Sequence, residues 1–216
     1  MTLRLSRSIL HLVLLATLLV TGCRSANRIM ARSPNAVLEK RLPSLQLEVD
    51  PGPMAATDGA LPEDPQKIFD TEMHHNIMEP ADSTEAFGYA KLQIHDATIS
   101  RGGKGFQAFQ MMTLLTPSLL GMPLEYCRTH VEAELQLIDA HGNVIGTYTG
   151  TGSSNVRVAM YYGYSQSQAP RLADVEALRQ ALGQIRPQLE SDVDSLRQKL
   201  LRAGLVHPQE IVGAAY

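Results

Sequence analysis

The clearest periodic signal lies in the last third of the chain. Val175, Leu178, Leu182, Ile185, Leu189, Val193, Leu196 and Leu200 recur at steps of three and four residues, which draws one apolar stripe along a helix. Ala169-Pro170 opens it, with Pro170 at the first helical position, where a missing N–H is harmless. Gly204 stands where such a helix is capped. Asp174 and Glu176 lie near the positive end of its dipole, and Arg197, Lys199 and Arg202 near the negative end. Pro187 falls inside the run, and its ring would crowd the carbonyl of Gly183. The stripe keeps its phase across Pro187, so the spacing predicts one helix kinked near Gly183–Pro187, with two separate helices as the alternative. A helix of about 50 Å against a ten-residue strand of about 33 Å predicts that part of it overhangs the sheet, packs on a shorter helix or meets a partner.

A shorter helix is predicted after Asp64-Pro65, with Asp64 at the cap, Pro65 at the first turn and Pro80 as the stop. Ile68, Phe69, Met73 and Ile77 would form its buried face. Strict alternation marks the strands. Residues 43–50 form a short one, closed by Pro51-Gly52-Pro53 and a loop over 51–64. Ala90, Leu92 and Ile94 alternate with Lys91, Gln93 and His95. Val131, Ala133, Leu135 and Leu137 alternate with His130, Glu132, Glu134 and Gln136. Asp139-Ala140-His141-Gly142-Asn143 is a hairpin turn, and the return strand Val144–Ser153 has two unlike faces. Gly146, Tyr148, Gly150 and Gly152 share one, which predicts a helix lying close above it; Thr147, Thr149, Thr151 and Ser153 form a wet face. Met160-Tyr161-Tyr162-Gly163-Tyr164 is either a final strand or an aromatic lid.

These elements predict an α+β fold. It is a two-layer sandwich in which an antiparallel-rich sheet of about 4–5 strands carries the short helix and the long C-terminal helix on one face. The stretch Phe106–Met122 (FQAFQMMTLLTPSLLGM) is the most apolar part of the chain beyond its amino terminus. Its first half is expected to pair back as a strand across the turn Gly102-Gly103-Lys104-Gly105, and the rest to form an apolar loop after Pro117. Phe106, Phe109, Met111, Leu114, Leu119 and Leu120 there, with Tyr161, are the candidate contacts for a ligand or partner. Two roles stay open for them: buried core, or a hydrophobic tip that touches a membrane or another protein.

The amino terminus has a different pattern. Arg4 and Arg7 precede an apolar run from Ile9 to Val20 that ends in Val20-Thr21-Gly22-Cys23. A basic start, about 12 apolar residues and a small-residue junction form a secretory signal, and the run is too short to span a bilayer as a helix. Val20-Thr21-Gly22-Cys23 resembles the lipobox of bacterial lipoproteins. That resemblance implies cleavage before Cys23, a diacylglycerol on its thiol and usually a third acyl chain on its amino group. Two or more acyl chains anchor stably. Arg24 in the next position points to the outer membrane rather than the inner one. The organisation expected is a cleaved signal over 1–22, a lipid anchor and tether over 23–41, a periplasmic domain over 42–204 and a tail over 205–216.

Composition then removes function classes. Loss of Arg4 and Arg7 with the signal lowers the 19 Lys and Arg to 17, against 22 Asp and Glu. No basic run and no Trp are present, so nothing favours nucleic acid. With Cys23 acylated, Cys127 is the one remaining thiol and cannot form an internal disulfide; a buried strand cysteine is expected, a bridge to a second copy being the alternative. The glycines at 102–105 lack the order of a phosphate loop, and no serine sits in a nucleophile elbow. His74 and His75 lie about 100° apart on a helix and cannot share a metal. His95, His130 and Glu132, all on wet strand faces, form the one metal constellation to test. No cofactor is called for.

The order of elements also resembles small periplasmic domains of the TolB amino-terminal, curli-secretion and lipopolysaccharide-assembly lipoprotein types. Phe69-Asp70-Thr71-Glu72-Met73, Gly142 to Gly152 and Ala177/Ala181 carry the resemblance, over residues 44–203; residues 106–122 fall outside it. A non-enzymatic, lipid-anchored envelope protein is therefore expected, binding an envelope protein or its own kind. The alternatives are a carrier of a lipid or glycan in a pocket between sheet and helix and, more remotely, a hydrolase.

Overall fold

The computed structural model describes residues 37–80, 85–113, 118, 122–159 and 163–206. The fold is α+β, with a four-strand mixed sheet backed by a long C-terminal helix and shorter helices. In chain order the elements are β1 (Gln46–Asp50), α1 (Asp64–Glu72), β2 (Gly88–Gly102), α2 (Lys104–Met112), β3 (Glu125–Asp139), β4 (Val144–Val158) and α3 (Ala169–Ala203). The sheet order is β1-β2-β3-β4. β1 pairs parallel to β2, and the other two pairs are antiparallel. α1 and α3 lie on one face; the other is the wet face that carries Arg128, His130, Glu132 and the β4 threonines.

α3 is one helix of 35 residues that continues through Pro187. All eight residues of the predicted stripe are buried, while Pro187 faces solvent. Gly204 closes the helix at φ 84°, its N–H donating to the Leu200 carbonyl. The glycine face of β4 lies directly under α3. A methyl group on Gly150 would overlap the carbonyl oxygen of Ala181, and one on Gly152 that of Ala177. Two glycines against two alanines let helix and strand backbones touch, which no larger residue permits. Leu92, Leu135, Leu137, Leu178, Ile185 and Leu189 fill the layer between them.

Several expectations are corrected. β2, β3 and β4 have 15 residues each and reach about 50 Å, the length of α3, so no overhang is required. The strands outrun the predicted ones because polar residues occupy inward positions at one end and mask the alternation. Thr129 and Ser154 point inward and are buried; the Ser154 hydroxyl donates to the Ala173 carbonyl at 2.7 Å. Residues 51–64 are not a plain loop: Gly52–Ala56 forms a 3₁₀ turn that buries Met54. Asp64 is the first residue of α1, with Glu63 at the cap, and the helix runs on as a π-helical turn over Met73–Ile77 before Met78 turns extended. The packed domain also begins earlier than expected. Leu38, inside the stretch expected as tether, belongs to the core together with Leu42, and Lys40 in the same stretch pairs with Asp194 at 2.7 Å. Tyr164 bridges to Val158; residues 160–162 lie outside the described residues, as do Cys23 and the tail from residue 207.

Substitution should separate the two kinds of glycine. Gly152→Ala forces helix and strand apart and is expected to cost about 1–3 kcal/mol. Gly183→Ala meets open space and should stabilise by about 0.5–1 kcal/mol. Thermal melts of the two variants decide this.

Candidate functional site

Two places on the domain break the rule of apolar inside and polar outside. The first is the head of α3. Asp174 is fully buried there. Its Oδ2 accepts from the Thr57 hydroxyl at 2.8 Å and the Ala60 N–H at 3.0 Å, and its Oδ1 from the Thr129 hydroxyl at 2.9 Å. Burial pushes the carboxyl of Asp174 up; the bonds from Thr57, Thr129 and Ala60 offset this only in part, and the charge of Asp64 adds to it. Every acceptor is taken up by an element of the fold, so Asp174 pins the helix to β3 and the 51–60 segment. Burial also pushes Asp64 up, but bonds from Arg171 and the Leu61 N–H outweigh it and hold the carboxyl below its ordinary range. Arg171 grips both Asp64 oxygens at 2.7 Å. Further along the same seam, Arg186 pairs with Glu72 and Arg197 with Glu79. The Asp64 and Glu72 pairs join α1 to α3, and the Glu79 pair joins the segment after α1 to the same helix.

The second place is α2, at the opposite end of the strands from the β3–β4 hairpin. Its sequence explains why it is a helix where a strand was expected. Gly103 sits at φ 119° and breaks β2. Lys104–Met112 then contains no β-branched residue and is rich in Gln, Ala and Met, good helix formers. Its polar side faces in. Gln107 Nε2 donates to Glu125 at 2.8 Å, Gln110 Nε2 to the Pro123 carbonyl at 2.8 Å, and the Ser118 hydroxyl to Gln110 Oε1 at 2.5 Å. Gln110, Ser118 and Glu125 are buried. Its apolar side faces out: Phe106 is 38% exposed, Phe109 51%, Met111 76% and Met112 83%. The Phe106 and Phe109 rings lie against each other with centroids 6.4 Å apart, and Met122, shortly before β3, is exposed as well. The helix is amphipathic with its faces reversed relative to the core.

Of the residues singled out in the sequence, Phe106 and Phe109 are thus brought together, but on the surface, and Met111 is exposed on the same helix. They do not line a pocket between sheet and helix, nor do they belong to the core. Leu114, Leu119, Leu120 and Tyr161 lie outside the described residues. The inward role of Gln107 and Gln110 was missed, although their i, i+3 spacing is a helical signal. Cys127 is buried on β3, its thiol pushed up by burial. The proposed metal trio does not assemble. His95, beside a bulge in β2, lies 3.5 Å from Glu134, and His130 Nδ1 lies 3.0 Å from the Ser153 hydroxyl. Among the described residues no three His, Cys, Asp or Glu side chains are placed to hold a metal, and no helix is long and apolar enough to cross a membrane. Neither a family model nor a curated protein matches the chain.

The Asp64 pair gives a pH signature. Its folded carboxyl titrates below the unfolded one, so its stabilisation is present above the ordinary value of 3.8 and is lost as pH falls through the lowered folded value. Asp64→Asn should lower the thermal midpoint at neutral pH, and the gap to the native chain should close in acid. A gap that stays constant with pH would refute the ion-pair account.

Proposed function

We propose that this chain is a non-enzymatic lipoprotein of the bacterial envelope. It is held by acylated Cys23 at the periplasmic face of the outer membrane, and it binds a protein partner through α2. The observation that carries this reading is the reversed helix. Buried hydrogen bonds from Gln107, Gln110 and Ser118 fix two phenylalanines and two methionines outward, an arrangement that water alone does not favour. Flexible Met beside rigid Phe suits an adaptable contact. At the same end of the sheet Arg128 is exposed, and Arg101, also exposed, lies 3.8 Å from Asp58, so a partner with an apolar centre and an acidic group to meet Arg128 fits best.

Placement supports a partner over the anchoring membrane. The described chain begins where Leu42 and Arg41 bond to Ile77 and Arg197, beside the β3–β4 hairpin end of the sheet. α2 is at the other end, about 45 Å away along the strands. The lipobox Val20-Thr21-Gly22-Cys23 and the basic, apolar segment before it support the anchor. The strand, helix, strands and long helix are compatible with the likeness to the TolB amino-terminal, curli-secretion and lipopolysaccharide-assembly domains, with α2 standing where a further strand was expected; a likeness of fold does not assign function.

Metabolic labelling with palmitate should mark the native chain and fail with Cys23→Ser, which also leaves the membrane fraction. For α2, the double change Phe109→Asp, Met112→Asp should alter stability by no more than about 0.5 kcal/mol. It should remove the cross-linked adduct that the native protein forms in the envelope. Palmitate on Cys23→Ser overturns the anchor; an adduct that survives the double change overturns the docking helix.

A further inference from the structure

Among the described residues the sheet ends with β4, whose outer edge is open except at its far end, where Tyr164 bridges to Val158. Edge strands expose unpaired N–H and C=O groups, and proteins usually blunt them with lysine, proline or brevity. β4 has none of these over most of its run: Val144 to Val156 (VIGTYTGTGSSNV) holds no charge and no proline. Its wet side chains are Thr147, Thr149, Thr151 and Ser153. Two copies of this strand laid antiparallel would place Thr against Thr or Ser, favourable cross-strand pairs with no like charges. By its own sequence the edge fits itself.

The guard comes from α3. Gln184 Oε1 accepts from the Thr151 N–H at 3.1 Å and from its hydroxyl at 3.3 Å. Gln180 Oε1 accepts from the Ser153 N–H at 3.3 Å. Gln188 Nε2 donates to the Thr149 carbonyl at 2.7 Å. The two periods nearly coincide. Four helical residues advance about 6.0 Å and two strand residues about 6.6 Å, so a row at 180, 184 and 188 meets 153, 151 and 149 in turn. Only an amide suits such a row, since it can accept from an N–H or donate to a C=O; a carboxylate or an ammonium does one alone. Beyond the row, Tyr164 N–H donates to the Arg157 carbonyl at 3.0 Å and covers the far end. We infer that Gln180, Gln184 and Gln188 are a latch that closes the β4 edge to pairing with the β4 edge of a second copy of this chain. The inference is independent of what binds α2.

The test is the mass of the full chain purified in detergent, by light scattering and sedimentation. The native chain should be monomeric, and Gln180→Ala, Gln184→Ala, Gln188→Ala should double the protein mass, as a two-fold edge pair requires. Adding Thr151→Pro, which removes the N–H at the centre of the edge, should restore the monomer. Gln184→Ala alone opens the middle of the edge and should give a weaker, concentration-dependent dimer, a readout that remains if the triple variant does not fold. Folded triple and single variants that stay monomeric overturn the latch. So does association that Thr151→Pro leaves unchanged, or a native chain that already dimerises through β4.

Discussion

The contact on which the rest depends is the one between bare backbones where α3 crosses β4. Gly150 and Gly152 remove the side chains that would hold the helix off, and Ala177 and Ala181 press their carbonyls into the space. That proximity fixes both the height and the register of a helix as long as the sheet. At this height Ser154 reaches the Ala173 carbonyl and Thr129 reaches Asp174, while the glutamine row meets the strand edge. Dispersion falls off steeply with separation, so a helix lifted by one methyl group would lose packing and these polar contacts together. α1 is then positioned by charge, with Asp64 and Glu72 each meeting an arginine of α3, and Glu79 in the segment after it meets a third.

The two layers leave three surfaces with different chemistry. The open sheet face is charged and hydroxylated, and needs no cover. The β4 edge is neutral and is covered from within by side chains of α3. The α2 patch is apolar and exposed, and its own buried hydrogen bonds hold it so. A helix whose glutamines point inward cannot turn its phenylalanines into the core without stranding Glu125, Ser118 and the Pro123 carbonyl. The polar bonds below the helix are therefore what keep its apolar side available above.

Wherever one side chain type repeats at one period, the structure was legible in the sequence. The α3 stripe, the glycine and threonine faces of β4 and the 139–143 turn all have the predicted places. Most of the departures trace to polar residues facing in. Thr129 in β3 and Ser154 in β4 end the apparent alternation early and make those strands look short, and Asp174 in α3 has the place of a dipole partner although it is a buried pin. Gln107 and Gln110 made α2 read as a strand, since apolarity drew attention before period. Leu38 stands alone among polar and charged neighbours and shows no period, so nothing in the sequence joins it to the core residues from Leu42 onward.

Docking through α2, as proposed, requires the helix to be covered in the envelope and bare in isolation. Met112→Cys offers a thiol at the most exposed point of the patch, with buried Cys127 giving little background. Its labelling by a small maleimide, in intact envelopes and in the purified protein, measures this directly. A docked α2 gives slow labelling in the envelope and fast labelling after purification. Equal rates in both would contradict it.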